Sequence, residues 1–164
     1  MLITGGDKGI GLLMAKAFLK LGSTVVIWDL TESTLQQTVD KLKPLGNIHG
    51  YCVDVADAQA VYEMAEKVKR EVGTVNILIN NAGVINGQHL LELDDSRISK
   101  TFMVNTISHF YTTKAFLPDM RDRNDGHIVT IASLAGIIGQ PKMTDYCASK
   151  SAAIGFHEAL HLVC

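Results

Sequence analysis

Five short apolar runs, each followed by a stretch of helical period, constrain this chain more than any other feature. A strand followed by an amphipathic helix must cross over and return parallel to its predecessor. The runs are Leu2–Thr4, Thr24–Asp29, Asn47–Val53, Val75–Asn80 and His127–Ala132, and the helical stretches fall at about 10–21, 31–44, 57–72, 95–121 and 145–162. Three of the runs hold four or more β-branched or large apolar residues with little alternation, as expected when helices cover both faces of a sheet. Right-handed crossovers then predict an α/β fold built on a doubly wound parallel sheet. In the first helix the stripe Ile10, Met14, Ala17, Phe18 and Leu21 is expected to face the core, with Gly22 as the stop. A length of 164 residues predicts one dinucleotide-sized domain over 1–164, and no repeat or linker divides it.

Composition narrows the function classes. The net charge is -2, and the longest basic cluster, Lys67-Val68-Lys69-Arg70, sits in a mixed-charge helix, so a nucleic-acid partner is not expected. Cys52, Cys147 and Cys164 form no Cys-x-x-Cys pair, which argues against a disulfide framework or thiolate zinc site and fits a reducing compartment. The uncharged stretch from Val72 to Leu91 carries Asn76, Asn80, Asn81, Asn86, Gln88 and His89, too polar a set for a transmembrane helix. Met1 is followed almost at once by a Gly-rich turn, leaving no room for a signal peptide, and a cytoplasmic location is expected for the stretch as it stands.

In doubly wound sheets a ligand lies beyond the carboxyl ends of the strands, where the winding reverses, so the residues after strands one, four and five matter most. Thr4-Gly5-Gly6-Asp7-Lys8-Gly9-Ile10-Gly11 joins the first strand to the first helix, and Gly5, Gly9, Ile10 and Gly11 are candidates to bring backbone amides against a pyrophosphate. Asp29 ends the second strand, eighteen residues after Gly11, where a carboxylate would accept from both ribose hydroxyls and repel a 2′-phosphate. Lys8 points the other way, since its ammonium suits NADP. NAD is the preferred cofactor on Asp29, with NADP kept open by Lys8. Asp54 and Asn81, the latter in Asn80-Asn81-Ala82-Gly83, follow the third and fourth strands. Each either lines the adenosine side or bonds its own turn.

Tyr146 and Lys150 are four apart on the last helix, so an ammonium can stand near the phenol and favour phenolate. Ser133 follows the fifth strand, thirteen residues before Tyr146, where its hydroxyl could steady a substrate oxygen. Asn105 lies within the long fourth crossover among Phe102, Met103, Ile107 and Phe110, where a buried amide needs partners, such as a water beside Lys150.

Taken together, these motifs, in this order, resemble the short-chain dehydrogenase/reductase family, whose pattern is Thr-Gly-x-x-x-Gly-x-Gly, Asn-Asn-Ala-Gly, a helix Asn, a Ser and Tyr-x-x-x-Lys. The resemblance implies a Rossmann fold with strand order 3-2-1-4-5 and a catalytic set of Asn105, Ser133, Tyr146 and Lys150. Tyr146 would exchange the substrate proton, Ser133 position the oxygen, Asn105 maintain a proton relay, and Lys150 hold the nicotinamide ribose while favouring ionised Tyr146. Tyr146 and Lys150 therefore count among the cofactor-binding residues too. The segments Phe110–Pro118, Gly126–Val129 and Asp145–Lys150 resemble the branch of epidermal retinol dehydrogenases and lipid-droplet hydroxysteroid dehydrogenases. That branch implies a lipophilic alcohol or ketone as substrate, membranes of the endoplasmic reticulum or lipid droplets, and a homodimer through the fourth and fifth crossover helices. By the same resemblance the chain lacks the family's last two strands and its apolar anchor. The competing expectation is a non-catalytic remnant that binds at most dinucleotide or a partner.

One further motif competes. His157-Glu158-Ala159-Leu160-His161 has the His-Glu-x-x-His spacing of a zinc peptidase, but a third ligand must follow, and only Cys164 is a candidate. No metal is therefore expected.

Overall fold

The computed structural model describes residues 1–162. Five parallel strands, β1 (Leu2–Thr4), β2 (Val25–Asp29), β3 (Ile48–Cys52), β4 (Ile77–Asn80) and β5 (His127–Thr130), form one sheet in the order β3-β2-β1-β4-β5. The helices are α1 (Gly9–Lys20), α2 (Glu32–Leu42), α3 (Ala58–Glu71), α4 (Asp95–Phe102), α5 (Ser108–Asp122) and α6 (Thr144–His161). Every strand and crossover expected from the apolar pattern is present, with ends shifted by a few residues.

The unbroken apolar runs are explained by two cores. Successive side chains of a strand point to opposite faces. Leu2, Val26 and Leu78 therefore join Val61 and Val68 of α3 and Phe116 of α5, while Ile3, Ile27 and Ile79 meet Leu19 of α1 and Leu35 and Leu42 of α2. On the first face the Trp28 and Phe116 rings pack at 5.7 Å between centroids, tilted by 50°. All five strands are parallel, so the turns after β1, β2, β3, β4 and β5 open on one sheet edge, and the winding direction reverses between β1 and β4.

Two expectations about helices need correction. The buried face of α1 is Gly11, Ala15 and Leu19, whereas Ile10 and Leu21 are 61% and 79% exposed, Ala17 is exposed, and Met14 and Phe18 are half-buried. The reason is close approach: a Cβ on Gly11 would stand 2.1 Å from the Gly5 carbonyl oxygen, so α1 presents its smallest residues to the sheet. The fourth crossover is also not one α-helix. A π turn at Met103–Ile107 separates α4 from α5 and carries Asn105. Among the large apolar side chains of this crossover, Phe116 is core, Phe102 and Leu117 are half-buried, and Phe110 is 45% exposed. No described helix is long and apolar enough to cross a membrane.

Candidate active site

The first turn of the site is built by a brace rather than by free loops. The Asn81 side-chain amide donates to the carbonyls of Thr4 and Gly5, both at 2.9 Å, and the backbone N–H groups of Asn81 and Ala82 donate to Thr4 Oγ1 at 3.0 Å. This locks the turn after β4 to the turn after β1. Gly5, with φ +65°, has Ala82 Cα 2.9 Å from where a Cβ would be, so only glycine fits there. Gly9 also has positive φ, +54°, but faces open space, as a backbone that receives a ligand should. Ile10, exposed, lies in the same first turn of α1. The Asn81 side chain therefore does not bond its own turn: it braces the turn after β1 and lines the adjoining hollow.

That hollow, of about 300 Å³, is lined on one side by Gly5, Lys8, Asp29 and Asp54 and on the other by Asn81 and Gly83. Asp54 Oδ1 accepts from its own turn at Ala56 N–H, 2.9 Å, while facing the same space. Asp29 accepts from Leu30 N–H through Oδ1 (2.8 Å) and from Asp7 N–H through Oδ2 (3.2 Å). Burial raises its pKa above the ordinary carboxylate value, the neighbouring Asp7 carboxyl raises it further, and the two N–H donors oppose both. Each Asp29 oxygen keeps a lone pair for a diol. An adenine dinucleotide suits this edge: open glycine backbone at a helix start lies beside a carboxylate at the end of β2.

At the other end of the edge, Lys150 is 4% exposed, its ammonium donates to the Ile131 carbonyl at 2.7 Å, and it stands 5.9 Å from the centre of the Tyr146 ring. Burial pushes its pKa below the usual lysine range. The turn Leu134–Gly136 after β5 lies on α6 here: a Cβ on Gly136 would meet the Lys150 backbone at 2.8 Å. Ser133 begins that turn and its Oγ accepts from Ala135 N–H at 3.1 Å, leaving the hydroxyl proton available. The turn that Ser133 begins is thereby packed against α6 at Lys150, which stands near Tyr146.

Asn105 is fully buried on the π turn, its Oδ1 accepting from Val84 N–H (2.8 Å) and its Nδ2 donating to Val84 O (2.9 Å) and Ser149 Oγ (3.0 Å). Its partners are thus protein groups in the turn after β4 and in α6. Gly83 stands between Asn105 Oδ1 and Lys150 Nζ, which lie 3.4 and 3.8 Å from the position of a Cβ on it.

Several groups escaped the motif reading. Asp145, 3% exposed, accepts through Oδ2 from Asn86 Nδ2 (2.7 Å) and Thr101 Oγ1 (2.8 Å), tying the turn after β4, α4 and α6 together beside Tyr146. Burial pushes its pKa up, but the Thr101 and Asn86 donors and the N–H groups of Tyr146 and Asp145 outweigh that and hold it below the ordinary value. An acid at the helix start was the only local signal for it. His109 is 1% exposed, both ring nitrogens lack partners, and its ring lies 5.9 Å from that of Phe156. Of the zinc-like motif, His157 Nδ1 pairs with Thr130 Oγ1 at 3.1 Å, and among the described residues no three His, Cys, Asp or Glu side chains gather to hold a metal ion. Cys164 lies outside the described residues.

Comparison with known proteins agrees with this geometry. A sequence profile described as short chain dehydrogenase matches residues 1–163. Estradiol 17-beta-dehydrogenase 11 of Homo sapiens is 49% identical over 161 residues, covering 98% of this chain and 54% of that protein. Retinol dehydrogenase 10-A of Danio rerio is 42% identical over 182 residues, covering 96% and 54%. A short-chain dehydrogenase/reductase from Burkholderia phymatum, solved with NAD, superposes with a TM-score of 0.95 at 34% identity, covering 99% of this chain and 59% of that one. A metagenomic short-chain oxidoreductase solved with NADP gives 0.91 at 27%, covering 97% and 72%. The chain spans about half the length of the curated relatives it matches. With the glycine turn and the Tyr146–Lys150 pair along the same carboxyl edge of its sheet, the chain belongs to the short-chain dehydrogenase family.

Proposed function

We propose that this chain forms the dinucleotide-binding and proton-transfer part of an NAD(P)-linked oxidoreductase acting on a lipophilic alcohol or ketone, retinol-like or steroid-like. NAD is preferred over NADP. The observation that carries the reading is the convergence of Tyr146, Lys150 and the Ser133 turn on the edge that also holds the glycine turn and Asp29. Bound dinucleotide supplies the hydride chemistry. Tyr146 takes the proton of the substrate hydroxyl in oxidation and returns it in reduction, and the Ser133 hydroxyl donates to the same oxygen. The buried Lys150 ammonium stands 5.9 Å from the centre of the Tyr146 ring, and the nicotinamide ribose is assigned to it. Asn105 holds the turn after β4 against α6 and so fixes where Lys150 stands. Gly5, Gly9, Ile10, Gly11, Asp29, Asp54 and Asn81 make up the cofactor side.

The names of the curated relatives support the substrate class, and the branch resemblance supports a place at endoplasmic-reticulum or lipid-droplet membranes for the whole protein. Phe110 of α5, 45% exposed and 4.5 Å from the Phe156 ring of α6, supports a homodimer through these helices. The proposal treats residues 1–164 as one unit. Its test is an NADH-dependent rise in melting temperature, together with alcohol-dependent NADH formation that falls at least about 100-fold in Tyr146→Phe while the melting temperature is kept. Turnover unchanged in that variant refutes the acid/base role.

A second reading is favoured by the half-length match and by β5, whose only strand partner among the described residues is β4. On that reading the 164 residues bind dinucleotide without turning over substrate. A thermal shift with no NADH formation under any tested alcohol selects it.

A further inference from the structure

The glycine turn carries an acid that the dinucleotide pattern does not call for. Asp7, between Gly6 and Lys8, is 7% exposed and is held from three directions. Its Oδ2 accepts from Thr34 Oγ1 at 2.6 Å, its carbonyl accepts from Thr38 Oγ1 at 3.1 Å, and its N–H donates to Asp29 Oδ2 at 3.2 Å. Its other carboxylate oxygen, Oδ1, is buried with no partner. α2 therefore presses one carboxylate against another at the end of β2. Beside them Lys8 and Asp54 line the hollow that Asp29 faces, and the neighbouring Cys52 thiol is pushed up by burial and by Glu32 and Asp29.

We propose that Asp7 is a specificity-determining residue: with Asp29 it makes a two-carboxylate corner that outweighs Lys8 and excludes a 2′-phosphate. With Asp54 engaged by its own turn at Ala56, Asp29 facing the Lys8 ammonium leaves the preference for NAD small. The second carboxylate enlarges it, because Thr34 and Thr38 prevent Asp7 from turning away. Asp7 acts through Asp29 and through the field, without touching the ribose. The inference rests on the dinucleotide site proposed above and goes beyond it by naming a determinant inside the glycine turn.

Binding of NADH and NADPH, followed by nicotinamide fluorescence, tests it without any substrate. In Asp7→Asn, which keeps the acceptor for Thr34 and removes the charge, the preference for NADH over NADPH is expected to fall about tenfold while NADH affinity changes less than about threefold. Asp7→Gly is the second variant, should the first fail to melt cooperatively. The unaltered chain gives an independent reading. As KCl rises from about 20 mM to about 500 mM, repulsion is screened and the NADH preference shrinks; a preference that grows with salt means that attraction to Lys8 dominates. A ratio unmoved in folded variants, or growth with salt, overturns the role of Asp7 and leaves the dinucleotide site standing. Failure of the unaltered chain to bind either dinucleotide overturns both.

Discussion

The two glycines that flank Ile10 look alike in the motif and do different work. Gly11 has backbone against it, with the Gly5 carbonyl 2.1 Å from a Cβ and the Asn81 amide at 2.7 Å, so neither neighbour can yield without unbracing the turn. Gly11→Ala is expected to cost about 2–3 kcal/mol, the upper part of the range for overpacking, and to lower the melting temperature by several degrees. Gly9 has nothing within 4 Å and only its φ of +54° resists a side chain. Gly9→Ala should cost about 1 kcal/mol, yet its methyl group occupies the space kept for the ligand. The expected outcome is a larger stability loss in the Gly11 variant and a larger loss of NADH thermal shift, relative to stability, in the Gly9 variant. Equal losses of both kinds would contradict this division.

At the level of elements, what was legible in the sequence and what was not separates by the distance over which partners are found. Strand positions, crossovers and the placement of Gly5, Gly9, Gly11 and Asp29 on one edge follow from local periodicity and parallel topology, and they are seen. The π turn does not follow, because Asn105 is fixed by Val84 and Ser149, 21 and 44 residues away. The burial of Asp145 by Asn86 and Thr101 likewise spans 59 and 44 residues. Apolar period alone misplaces the buried face of α1, because it ignores how closely Gly11 brings helix to sheet. Asn105→Ala should therefore act as a junction defect. It leaves the Val84 N–H and carbonyl without partners, for an expected loss of about 2–3 kcal/mol in urea unfolding. Ser149, which also donates to the Tyr146 carbonyl at 2.8 Å, keeps one bond. A loss below about 0.5 kcal/mol would show that the π turn is held by packing alone.

Over the whole molecule, the buried ionisable groups set how stability answers to acid, and their signs differ. His109 is pushed down to about 4, first by burial and then by the charges of Lys150 and His157. The unfolded chain takes up this proton near pH 6.5 and the folded chain does not. Stability is therefore full above that value and declines as pH falls toward 4, by about 3 kcal/mol in total. Asp29 works against the decline, since its raised folded pKa lets the native state bind a proton before the unfolded one does, adding stability as the ordinary carboxylate range is approached from above. Asp145 works with it at lower pH. Its depressed pKa contributes stability above the unfolded value of 3.8, which is lost as pH falls through the folded value. Denaturant unfolding of the unaltered chain should show a decline that begins near pH 6.5, ahead of any carboxylate. His109→Leu removes a ring whose nitrogens have no partners, so it should flatten the curve between pH 6.5 and 4 while leaving the steeper fall below pH 4. If the variant declines in parallel with the unaltered chain across that window, the histidine is not what couples this fold to acid, because Asp29 adds stability there and Asp145 acts only below 3.8.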